Sequence, residues 1–132
     1  MANQQFMYTL PVGKSVQGMM DATRQYLSVV ENMETQTISG GSANMTAIQA
    51  RAKNGGIKQF IGMDKALTVR FIENGNSVTV ELGEAKWGDK AAIMATAMFI
   101  LWPLALTSGY GIYKQKKLPG NIKKVIDNYV YS

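Results

Sequence analysis

Two stretches of strict alternation between apolar and polar residues give the clearest pattern in this chain of 132 residues. The apolar positions recur at every second residue: Leu67, Val69 and Phe71 in the first stretch, and Val78, Val80 and Leu82 in the second. The dipeptide Asn74-Gly75 between them favours a tight turn. The pattern therefore predicts a β-hairpin with one apolar and one polar face, within an antiparallel sheet that has a solvated side.

Apolar residues at steps of three, four and seven predict one long amphipathic helix ahead of the hairpin. They are Val12, Val16, Met19, Met20, Tyr26, Leu27, Val30 and Met33. Strands are predicted at 6–11, 35–39 and 44–53, the last two separated by a glycine turn. An antiparallel sheet of about five strands, covered on its apolar side by this helix, makes a complete α+β domain within residues 1–85.

An uncharged run of 23 residues, Ala91 to Tyr113, follows this domain. As a helix it would be roughly 35 Å long, enough to cross a hydrocarbon core of about 30 Å. Aromatic residues flank it, as is typical of membrane interfaces, but Pro103 near its middle favours a kink. Three interpretations stay open for this apolar helical segment: a spanning segment, a re-entrant hairpin, and a core or dimer interface of a soluble protein.

The residues expected to meet lipid or a second copy are the large apolar and aromatic ones in and beside this run. They are Trp87, Met94, Met98, Phe99, Leu101, Trp102, Pro103, Leu104, Tyr110 and Tyr113. In the stretch KWGDK before the run, Asp89 suits the N-terminus of the following helix. That stretch is interpreted either as a helix cap or as a head-group contact.

The positive charge is concentrated beside the run. Residues 1–85 carry seven basic and seven acidic side chains, whereas residues 86–132 carry seven basic and two acidic ones, so the whole net charge of +5 lies in the second part. A nucleic-acid reader is expected to carry a basic face on its folded domain, so this distribution favours a membrane surface and makes nucleic acid an unlikely partner. The lysines expected to bind an anionic surface are Lys114, Lys116, Lys117, Lys123 and Lys124.

The tail predicts a final helix that starts near Pro119, with Ile122, Val125 and Ile126 on one stripe. This amphipathic helix either docks on the domain or lies on an anionic membrane. The glycine-rich loop 54–65 is likewise either packed under the sheet or in contact with a membrane or partner. The N-terminal residues lack the pattern of a secretory signal, and five lysines follow the run whereas only Lys86 and Lys90 lie just before it. Both features favour the cytoplasmic face of the cell membrane, with the cytoplasm as the alternative.

The composition offers little for catalysis. The chain has no cysteine and no histidine, which excludes thiol nucleophiles, zinc–thiolate sites and imidazole bases. The acidic residues are scattered and match no calcium loop, and the glycines match no phosphate loop. Glu81 and Glu84 are interpreted as surface charges, not as a catalytic pair. We therefore expect no enzyme activity, no metal and no cofactor.

One distinctive stretch resembles a known family. The residues Gly62–Phe71, Lys86–Lys90, Leu101–Leu104 and Lys114–Pro119, with two glycines between the last two, resemble an uncharacterised bacterial domain family with a KWxDK…FxLWPLxxTxGxGxxKQxKLP signature. Some members are joined to zinc-ribbon or membrane-associated modules. The resemblance implies no catalytic residue, and it favours treating 86–119 as one functional unit.

Together these patterns predict a non-enzymatic binding or scaffold module at the cytoplasmic side of a membrane. Membrane lipids or a membrane protein are its expected partners. The alternative is a soluble homo-oligomer that uses the apolar helix as its interface or as the lining of a ligand-binding core.

Overall fold

A computed structural model describes residues 5–39, 44–52, 65–94, 100–101 and 112–132. The elements in chain order are strand β1 (Gln5–Thr9), helix α1 (Val16–Gln25), a π-helical turn (Tyr26–Val30), strands β2 (Met33–Ser39), β3 (Met45–Ala52), β4 (Lys65–Asn74) and β5 (Ser77–Lys86), helix α2 (Lys90–Met94), strand β6 (Ile100–Leu101) and helix α3 (Ile112–Tyr131). The predicted α+β class, with an antiparallel sheet, an N-terminal helix and a C-terminal helix, is confirmed.

The sheet is antiparallel throughout the described strands. Its order is β1-β5-β4-β3-β2, and β6 pairs with β5 beyond the end of β1. The central hairpin places Phe71 opposite Val80 and Val69 opposite Leu82. Its two-residue loop is Gly75-Asn76, one position later than the predicted turn. The first residue of such a loop needs a positive φ, and Gly75 adopts it with φ 69°.

The first face of the sheet carries the main apolar core. Helix α1 begins at the N-cap Ser15, whose side chain accepts a hydrogen bond from the Gly18 backbone at 3.0 Å. The core residues from this helix and turn, from the strands and from helix α3 are Tyr8, Met19, Met20, Leu27, Met33, Ile48, Ala50, Leu67, Val69, Phe71, Val78, Val80, Leu82, Ile122, Ile126 and Val130. Both helices therefore cover the same face.

The predicted helical stripe is correct in its middle and wrong at both ends. Val12 precedes the helix and is fully exposed, and Val30 is 67% exposed because the last turn has π geometry. A π turn takes more residues per turn than an α-helix, so the side chain after Leu27 that would continue the stripe rotates outward. Asn32 then adopts a left-handed φ of 56°, and Met33 enters the core from β2.

The second face of the sheet is buried, and the predicted solvated side is wrong at its centre. Thr68 and Gln49 are completely buried, and Arg70 is 2% exposed. The chain that leaves β5 crosses this face, and we name residues 87–94 the strap. Alternation between apolar and polar residues predicts water on the polar face only when no other segment covers it.

Helix α3 begins at Ile112 and contains Pro119, so it starts earlier than the predicted position. Ile122, Ile126 and Val130 recur every fourth residue and pack into the core of the first face. The core assigned to residues 1–85 alone is therefore completed by residues from the C-terminal helix.

Candidate functional site

Helix α3 lies antiparallel to helix α1. The Tyr129 hydroxyl accepts a hydrogen bond from the Ser15 backbone at 3.1 Å at the start of α1, and the Asn121 side chain hydrogen-bonds the Tyr26 hydroxyl at its end. The first turns of α3 therefore lie at the same end of the molecule as the π-helical turn. This end is the candidate site.

The charge of this end comes from the basic segment, which we define as residues 114–124. It contains five lysines and no acidic residue. Lys124 is exposed, and Lys123 is exposed with its ammonium 2.9 Å from Asp127 and 5.7 Å from the centre of the Phe6 ring. Lys114, Lys116, Lys117 and Tyr113 belong to the same helix, but their side chains lie outside the described part of the structure.

The π-helical turn adds two exposed apolar residues to this end. Val29 is 70% exposed and Val30 is 67% exposed, and we name them the valine pair. Each would remove apolar surface from water on contact with a lipid or protein surface, at about 25 cal/mol per Å². Sequence periodicity missed the pair because it assumed a regular helix.

Tyr26 fixes the geometry of the π-helical turn. Its hydroxyl donates a short hydrogen bond to Glu31, the residue that follows the turn, and the Glu31 amide donates to the Tyr26 carbonyl at 3.2 Å. Burial, followed by the hydrogen bond to Glu31, raises the pKa of Tyr26 to about 12, although Asn121 acts in the opposite direction. The turn is therefore held closed by a neutral phenol throughout the physiological range.

A second polar cluster ties α3 to the first strand. The Tyr8 hydroxyl donates to Asp127 at 2.6 Å, and Lys123 donates to the other carboxylate oxygen at 2.9 Å. Burial and the hydrogen bond to Asp127 raise the pKa of Tyr8. Burial acts to raise the pKa of Asp127 as well, but the hydrogen bonds from Lys123 and Tyr8 outweigh it and hold that pKa below its ordinary value.

Asp127→Asn is expected to make the stability less dependent on pH in acid. Since the folded pKa of Asp127 is lowered, its ionised form contributes stability fully above the ordinary value of 3.8 and loses it as the pH falls through the folded pKa. Urea unfolding at neutral pH and at a series of values below 3.8 measures the gap between the two proteins, which should shrink in acid. Asp21→Asn, in an exposed pair with Arg24, is the control, and a gap independent of pH for Asp127→Asn would refute the assignment.

The structure describes the positions of three predicted interface residues between β5 and α3. The Arg51 guanidinium carbon lies 3.9 Å from the centre of the Trp87 ring. Trp87 therefore covers the edge of the sheet's second face instead of standing apart from the domain. Met94 ends helix α2, and Leu101 pairs with Gly83 in the sheet. Met98, Phe99, Trp102, Pro103, Leu104, Tyr110 and most of loop 54–65 lie outside the described residues.

Beneath the strap lies a polar cluster that consists of Gln36, Gln49, Thr68, Arg70 and Glu81. The Gln49 amide donates to Thr68 at 3.0 Å and to the Lys86 carbonyl at 3.2 Å. Its oxygen accepts from Gln36 at 3.1 Å and from the Gly88 backbone at 2.7 Å. All four hydrogen-bonding positions of this buried amide are used, which is the condition for burying it at little cost.

Arg70 links the polar cluster to the strap from the other side. Its Nε donates to Glu81 at 2.9 Å and its Nη2 makes a second, short contact with the same oxygen, while Nη1 donates to the Ile93 carbonyl at 3.0 Å. Ile93 itself is completely buried against Ala47, with Ile38 alongside. A sequence signal that another segment packs closely on this face is its set of small residues, Ala47, Ala66 and Gly83. The alternation of apolar and polar residues alone did not reveal this packing.

Neither membrane-spanning helices nor acidic metal-binding groups occur within residues 5–39, 44–52, 65–94, 100–101 and 112–132. The polar groups described above are paired with each other in ways that stabilise the fold. Among the described side chains, the candidate site offers two exposed lysines on α3, Lys123 and Lys124, and the two exposed valines of the π-helical turn.

Searches of protein families, curated proteins and solved structures find no match for this chain. The resemblance of the C-terminal half to a bacterial domain family therefore stays an expectation.

Proposed function

We propose that the protein is a non-enzymatic binding module that associates with an anionic membrane surface from the cytoplasmic side. The observation that carries the proposal is the orientation of α3. Its apolar stripe of Ile122, Ile126 and Val130 is used inside the domain, while Lys123 and Lys124 on the same helix are exposed. A docked helix of this kind contributes charge to membrane binding and needs no refolding to do so.

The charge and the valine pair support the same surface. Each lysine near an anionic membrane contributes about 1 kcal/mol, and the contribution falls with salt. The valine pair lies at the end where the basic segment begins, so apolar contact and charge would act together on one lipid surface. Such a combination of two weak signals is typical of reversible peripheral binding.

The charge test compares two variants whose net charge falls by the same two units. Lys116→Gln with Lys117→Gln is expected to bind vesicles that contain phosphatidylserine roughly 30-fold more weakly at low salt, since two contributions of about 1 kcal/mol are lost. Lys14→Glu lowers the net charge equally but lies just before α1, at the opposite end of that helix from the π-helical turn, so it should retain binding. Sedimentation with vesicles of phosphatidylcholine, with and without phosphatidylserine, measures both.

Two results would overturn the proposal. One is equal weakening by the Lys116/Lys117 double substitution and by Lys14→Glu, which would show a general charge effect. The other is a discrete dimer that does not sediment with either kind of vesicle, which would favour the homo-oligomer instead. Val29→Ser with Val30→Ser, added as a third variant, should weaken binding without changing its dependence on salt.

A further inference from the structure

We infer that the strap is a releasable latch, which holds the start of the uncharged run against the sheet in water and frees it at a membrane. The inference rests on the proposed function, because the membrane is what stabilises the released state. It goes beyond that function by giving the protein two conformations with different modes of membrane binding.

The contacts described between the strap and the sheet are mainly polar and directional. Two hydrogen bonds join them, from Arg70 Nη1 to the Ile93 carbonyl at 3.0 Å and from the Gly88 amide to Gln49 at 2.7 Å, and the Arg51 guanidinium lies 3.9 Å from the centre of the Trp87 ring. Water can replace each of these partners when the strap leaves, so their loss is largely compensated.

Among the described side chains, the apolar contacts of the strap are few by comparison. Ile93 packs against Ala47 and the partly buried Ile38, whereas the first face of the sheet buries sixteen residues in one cluster. Hydrophobic stabilisation grows with the apolar area removed from water. The strap can therefore open while the main core stays intact.

The surface beneath the strap is suited to water. Gln36, Gln49 and Thr68 are polar, and Arg70 keeps its pair with Glu81 on the same strands after the strap leaves. An apolar surface at this place would aggregate or collapse when uncovered, but a polar one is hydrated. Both the covered and the uncovered sheet are therefore compatible with a folded protein.

Opening of the strap matters because the strap includes the start of the uncharged run. The strap contains the first residues of the uncharged run from Ala91 to Tyr113, and docking fixes them on the sheet. Release lets this part of the run exchange its contacts with the sheet for lipid. Since a membrane binds the released form better, it shifts the population towards that form.

Gly88 provides a variant that favours release. Its φ of +78° is strained for any other residue, while the space around an added Cβ is open apart from the Gln36 amide at 3.9 Å. Gly88→Ala should raise the fraction that stays on vesicles after a high-salt wash roughly tenfold, as expected from a strained left-handed residue. Gly75→Ala is the matched control, because its φ is +69° and the space there is also open, but it lies in the hairpin loop.

A reversible lock gives the opposite test, since the chain contains no cysteine. Ala47→Cys with Ile93→Cys should form a disulfide that fixes the strap when oxidised. The oxidised protein should bind phosphatidylserine vesicles at low salt and be removed by high salt, and reduction should restore the salt-resistant fraction. Each single cysteine variant, treated in the same way, controls for modification of the thiols.

The outcomes separate the two proposals. Loss of all binding at low salt in the unmodified protein would overturn the membrane function and the latch with it. Normal binding at low salt, with an equal salt-resistant fraction in Gly88→Ala and Gly75→Ala, would overturn the latch alone. If the disulfide does not form, the fluorescence of Trp87 in a Trp102→Phe background decides. On vesicles, the Trp87 emission of Gly88→Ala should be shifted relative to that of Gly75→Ala. Identical spectra of the two variants would refute release.

Discussion

Replacing Glu81 by alanine is expected to lower the free energy of unfolding by about 3 kcal/mol, because a buried guanidinium would lose the carboxylate that faces it. Arg70 is 2% exposed and Glu81 is 14% exposed, so water screens this pair poorly. Two donors of Arg70 contact one oxygen of Glu81, and the third described contact reaches the Ile93 carbonyl. Urea unfolding followed by circular dichroism measures the loss.

An exposed ion pair of the same type provides the control. Arg51 lies 3.1 Å from Glu34, but these side chains are 34% and 46% exposed. Glu34→Ala should therefore cost less than about 1 kcal/mol. Replacing Arg70 and Glu81 together by methionine should restore much of the stability that Glu81→Ala loses, because no charge is then left in the interior. Similar small losses for Glu81→Ala and Glu34→Ala would contradict the buried pair.

Gly18→Ala is expected to destabilise the protein by about 2 kcal/mol, although the same change inside a helix normally stabilises by up to about 1 kcal/mol. A Cβ at Gly18 would lie 1.9 Å from the Tyr129 hydroxyl oxygen and 2.3 Å from the ring carbon that bears it. The tyrosine would have to leave its place. Tyr129 would then lose the hydrogen bond that its hydroxyl accepts from the Ser15 amide at 3.1 Å. It would also lose the cation–π contact with the Lys14 ammonium, which lies 4.8 Å from the ring centre.

The sign of this effect should depend on Tyr129. In a Tyr129→Ala background the obstacle is absent, so Gly18→Ala should become stabilising by the ordinary difference in helix propensity. A double-mutant cycle of urea unfolding measures the coupling. Stabilisation by Gly18→Ala in the natural background would show that the two helices do not approach each other as closely as described.

The central hairpin and the sheet around it could be predicted from local patterns. Leu67, Val69 and Phe71 alternate strictly, and the structure places all three in the core. The buried side of α1 and of the π-helical turn after it could be predicted equally well, since Met19 and Leu27 recur at helical spacing and are completely buried. These elements follow from side-chain spacing because each exposes one face to a single large core.

The candidate site could be predicted only in part from local sequence patterns. The lysines and their concentration were visible in the sequence, but the π geometry that exposes Val30 is not encoded in a regular apolar period. The polar cluster was missed for another reason. Arg70 and Thr68 look like solvated positions of a strand, and only the strap that crosses them makes them buried.

The sequence by itself determined the α+β class, the hairpin and the uneven charge, because each depends on residues close together in the chain. The tertiary structure alone decided what covers each face of the sheet. Ile122 lies far along the chain from Met19 yet shares its core, and Ile93 covers Ala47 from the other side. Periodicity tells which residues share a face, but burial depends on the distant segment that packs on that face.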